Sequence, residues 1–104
     1  MSNQPHSEQY RIVAKQWVDA DAAANLLEEC KTPTLSQKML ALGDMPVSKA
    51  EMIVKASPEW HDYIKVMVEA RKRANLLRAQ REFIEMQAHE HQSAEATKRA
   101  EMKL

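Results

Sequence analysis

SPEWHDYIKVMVEARKRANLL, residues 57–77, is the stretch on which the fold turns. Ser57 supplies an oxygen for an orphan N–H at a helix start, and Pro58 takes the first helical position, where no N–H is needed. Glu59 then sits at the positive end of the helix dipole. Trp60, Ile64, Met67, Ala70, Ala74 and Leu77 recur every three or four residues, so they share one helix face. No Gly or Pro follows as far as Leu104. The pattern predicts one helix over 58–102, roughly 60–65 Å long at 1.5 Å per residue.

Working upstream, Tyr10, Val13, Trp17, Ala20, Ala24 and Leu27 form a second stripe of alternating three- and four-residue steps. It predicts a first helix over 7–31, capped by Ser7 and ended by Thr32-Pro33, because the residue before a proline avoids helical geometry. Trp17 and Trp60 lie in the early part of their stripes and are expected to anchor the core. Two short helices come between, over 34–42 and 48–56. Gly43 fits a left-handed C-terminal cap, and Ser48-Lys49-Ala50-Glu51 reads as a capping box. Residues 1–6 are polar and are expected to be a disordered leader before a single domain, 7–104. The expected class is all-α: a helical hairpin-like core, two short intervening helices and a long protruding C-terminal helix.

Composition agrees. The 104 residues include one Gly and one Phe, and no run alternates β-branched residues over the length of a strand. Fifteen cations balance fifteen anions, yet residues 65–83 carry six cations and two anions, a net of +4. Residues 1–31 carry three cations and five anions, a net of −2. Cys30 is the only cysteine, which excludes an internal disulfide and reads as a small buried hydrophobe. With no signal-peptide pattern and no apolar span of membrane length, the expected location is cytoplasmic, with no membrane partner.

Helix length raises a question of partners. A first helix of roughly 37 Å would cover only the first half of the last one. The remainder, from about Arg78, would then lack an intrachain partner, and isolated helices are marginal in water. This predicts a homodimer, with Leu77, Ile84, Ala88 and His91 near the seam. Leu76, Phe83 and Met86 would be exposed apolar anchors for another protein.

The basic zone has two readings. Arg71, Lys72, Arg73, Arg78 and Arg81 could contact the phosphates of DNA without selecting bases. Alternatively they wet the flanks of the helix, with Glu69–Arg73 and Glu82–Arg78 spaced for ion pairs. No zinc finger or homeodomain arm is present, and the connection containing Asp44 and Pro46 is long for a helix-turn-helix.

Catalytic chemistry is not indicated. His89 and His91 lie two apart, so on a helix they point away from each other and do not chelate one ion. Asp19, Asp21, Glu28 and Glu29 read as solvated faces of a helix. No Gly-rich phosphate loop or nucleophile motif occurs. No enzyme activity, metal or cofactor is expected. Met39, Met45, Met52 and Met67 read as core filler, with an adaptable binding surface as the other use of methionine.

Residues 48–86, SKAEMIVKASPEWHDYIKVMVEARKRANLLRAQREFIEM, and the ending SAEATKRAEMKL resemble a group of small helical proteins of tailed phages and prophages. The shared features are a Ser-x-Ala-Glu start, an Ala-Ser-Pro-Glu-aromatic helix start, a long helix rich in Ala, Arg and Lys, and a terminal Arg-Ala-Glu-Met-x-Leu. The likeness runs from about residue 20. It implies a viral accessory protein of the bacterial cytoplasm, encoded near recombination genes, with a role in DNA recombination or replication. Two functions follow as expectations: a nucleic-acid-binding factor, or a helical protein-interaction module that binds or inhibits a host or phage DNA-processing or defence enzyme. A purely structural assembly element is a third.

Overall fold

A computed structural model describes residues 5–102. They form four α-helices: α1 (His6–Glu29), α2 (Lys31–Ala41), α3 (Val47–Lys55) and α4 (Pro58–Met102), with no strand among the described residues. The molecule is a rod of 83 × 21 × 17 Å. Its body is the antiparallel pair α1 and α4. The α2–α3 pair packs on itself and meets the body only where α1 ends and α4 begins. Among the described residues no helix is long and apolar enough to cross a membrane.

The body is built on two heptad stripes. On α1 these are His6, Tyr10, Val13, Trp17, Ala20, Ala24 and Leu27; on α4, Tyr63, Met67, Ala70, Ala74, Leu77, Arg81, Ile84, Ala88 and His91. Every one is buried or half-buried except His91. At mid-length Ala20, Ala24, Ala74 and Leu77 form the dry core, flanked by Trp17 and Ala70. Small residues there let the two backbones approach closely.

The pairing register differs from the expected one. The first turn of α4 lies beyond the end of α1, beside α3, where Trp60 is buried and stacks on Tyr63 at 5.5 Å. The α1 partner surface therefore starts about one turn later and reaches His91, whose ring lies 6.0 Å from His6. Leu77, Ile84, Ala88 and His91, expected at a homodimer seam, instead continue the stripe that faces α1. Leu77 and Ile84 are buried within the chain. The overhang is residues 92–102, all exposed and roughly 16 Å long, rather than everything from Arg78.

Helix ends show what local signals decide. At Ser57 the hydroxyl accepts the Trp60 N–H at 3.3 Å and donates to the Val54 carbonyl at 2.6 Å, so the expected cap forms. Gly43 adopts φ +91°, a left-handed value that favours glycine. Pro33 does not end the first helix. The break falls at Cys30, and Pro33 occupies the first turn of α2, where a missing N–H has no intrahelical acceptor to lose. The capping box is also absent. Pro46 starts α3, its carbonyl accepting the Ala50 N–H at 3.0 Å, so Ser48 lies inside the helix. Glu51 pairs with Lys55 at 2.7 Å instead. Likewise α1 starts from Pro5 and not from a Ser7 cap, which makes His6 helical; residues 1–4 of the expected leader lie outside the described residues.

Candidate interaction surfaces

The five expected phosphate-binding cations do not form one surface. Arg71 is held by α1. Its Nη1 donates to Asp21 at 2.7 Å, its Nη2 to Asn25 at 2.6 Å, and its Nε and Nη2 to the two Glu28 oxygens at 2.9 and 2.8 Å. Hydrogen bonding to Arg71 keeps the Glu28 carboxyl below the usual carboxylate range, and the same contacts push the Arg71 guanidinium upward. Asp21 and Glu28, expected as solvated acids, are instead the acidic partners of this polar clamp. A signal was present: Asp21, Asn25 and Glu28 follow the seam residues Ala20, Ala24 and Leu27 one position behind, the flank from which coiled-coil ion pairs form.

Arg81 is also withdrawn from the surface. It occupies a seam position, its guanidinium carbon sits 4.4 Å above the centre of the Trp17 ring, and its buried Nε has no hydrogen-bond partner. Nearby, hydrogen bonding of the Tyr10 hydroxyl to the Glu85 carboxylate pushes that phenol upward. Lys72, Arg73 and Arg78 are exposed and make no ion pair among the described residues. The expected pairs Glu69–Arg73 and Glu82–Arg78 do not close. Three free cations remain of five, on different sides of α4.

The histidines near the end of α4 are exposed. His91 lies 3.2 Å from Glu95. Among the described residues no group of three or more His, Cys, Asp or Glu is placed to hold a metal ion. Cys30 is half-buried at the α1–α2 break.

Apolar side chains left in water are the more pronounced feature. Between α2 and α3 a shallow groove of about 300 Å³ is lined by Met39, Leu40, Gly43, Met45, Val47 and Ala50. Leu40 is 80% and Val47 71% exposed. Met39 and Met45 are half-buried in its walls, while Met52, expected in the core, is 68% exposed on another side of α3. The cause is that α2 buries no residue fully, so its apolar positions exceed what α3 alone can cover. Leu76, Phe83 and Met86 are each more than half exposed on α4. Neither a protein-family model, nor a curated protein sequence, nor a solved structure shows a match to this chain.

Proposed function

We propose that this chain is a non-enzymatic helical protein-interaction module whose α2–α3 end docks on another protein. The observation that carries this reading is the exposed Met39–Leu40–Met45–Val47 groove at one end of a rod. Methionine walls adapt to the shape of an apolar partner segment, and exposed apolar patches mark contact sites. The likeness to phage early-region proteins makes a DNA-processing or defence enzyme of the bacterial host or the phage the expected class of partner.

Leu40→Asp combined with Val47→Asp tests it. Both positions are exposed, so helicity and melting temperature should stay near the parent's. A protein retained by the parent chain from bacterial lysate after nuclease treatment, bound directly when purified, and lost by the double variant supports docking at this end. Equal retention by both, or retention that nuclease abolishes, overturns it.

A second reading is phosphate contact through Lys72, Arg73 and Arg78, the three of the five expected cations that are exposed and make no ion pair among the described residues. It describes a nucleic-acid-binding factor in recombination or replication, with a narrower footprint than five cations give. Lys72 and Arg73 are neighbours on α4 and Arg78 is on another side, so with two phosphates neutralised the logarithm of duplex affinity should fall against log salt with a slope of about −1.8.

A further inference from the structure

The outer face of α4 carries a second heptad stripe, Leu76, Ala79, Phe83 and Met86, in steps of three, four and three. It lies roughly 150° around the helix from the stripe that faces α1. All four are exposed, and the same rows continue into exposed Glu69 and Lys72 upstream and Glu90 and Ser93 downstream. Among the described residues this face has no partner from another helix.

We propose that this face binds a second copy of the chain, antiparallel, about a two-fold axis near Arg81. The stripe is complementary to itself in that orientation. Phe83 of one copy meets Ala79 of the other, large against small, and Leu76 meets Met86. In the same register Lys72 lies opposite Glu90, so a cation meets an anion at each end of the apolar block. By symmetry each contact occurs twice, as an isologous interface requires. Sliding one copy by a heptad sets Phe83 against Lys72 or Ala79 against Glu90, which leaves a charge facing an apolar side chain. A parallel arrangement sets Lys72 on Lys72 and Glu90 on Glu90. At the wet rim Glu82 meets its own copy, with Arg78 one turn away on the same flank.

The consequence is a longer rod, with the two α4 starts on the order of 70 Å apart at 1.5 Å per residue. Both α2–α3 ends then point outward, in opposite directions, and the module is bivalent. The dimer does not depend on the docking role of those ends. Its failure would leave that role in place, and the reverse.

Charge reversal with sedimentation equilibrium is the test. The parent chain should dimerise at micromolar concentrations. Lys72→Glu should weaken the dimer roughly tenfold or more, and adding Glu90→Lys should restore it. Phe83→Glu should give a folded monomer by circular dichroism. In a Cys30→Ser background, Gln80→Cys should cross-link to itself, Leu76→Cys should not, and a mixture of Leu76→Cys and Met86→Cys chains should. A monomeric parent chain, a charge swap without rescue, or self-cross-linking through Leu76→Cys overturns the proposal.

Discussion

The Tyr63 hydroxyl donates to the backbone carbonyl of Leu27 at 2.5 Å, across 36 residues of sequence. Leu27 lies in the last turn of α1, where carbonyls lack intrahelical donors. One side chain of α4 thus satisfies the end of α1 and sets where the two helices begin to pair. Tyr63→Phe keeps the ring stacked on Trp60 and removes only this bond. It should lower stability by about 1 kcal/mol in chemical denaturation.

Stability should fall in acid through the Arg71 clamp. The Glu28 carboxyl is depressed in the folded chain, so its contribution is complete above the ordinary carboxylate range and is lost as pH falls through the lowered value. Arg71 stays charged throughout. Arg71→Met should lower the melting temperature by a few degrees at neutral pH and flatten its decline in acid. Glu8, depressed by Arg11, keeps its own acid dependence in that variant. An unchanged acid profile would mean the clamp contributes nothing to folding.

Ile84 separates the observed register from the expected seam between chains. It is buried against α1 within one chain. Ile84→Ala should cost about 2–5 kcal/mol, and the loss should not depend on protein concentration. A seam between copies would make it concentration-dependent.

Residues 92–102 extend past the start of α1 and are all exposed. Their amides should exchange with solvent far faster than those around Ala74 and Leu77. Removing them should leave the melting temperature within a degree or two, whereas truncation before Ile84 should unfold the body.

The sequence alone carries the all-α class, the four helices, the Ser57 start, the Gly43 cap, the α1 stripe and the part of the α4 stripe over residues 67–77. Each of these follows from side chains within a few residues of one another. Trp60 and Ile64, by contrast, lie off the observed stripe, and Tyr63 and Arg81 lie on it. Leu77, Ile84, Ala88 and His91 show where such reading stops. Their spacing marks an apolar face, yet the same spacing serves α1 or a second chain equally well. The tertiary structure decides, because α3 takes up the first turn of α4 and shifts the register toward His91. Arg71 and Arg81 show the same limit for charge. Composition counts them in a basic zone, but Asp21, Asn25 and Glu28 lie 43 to 50 residues upstream of Arg71, and Trp17 lies 64 upstream of Arg81. What surrounds a cation depends on which helix face packs beside it, and only the packed pair of helices determines that.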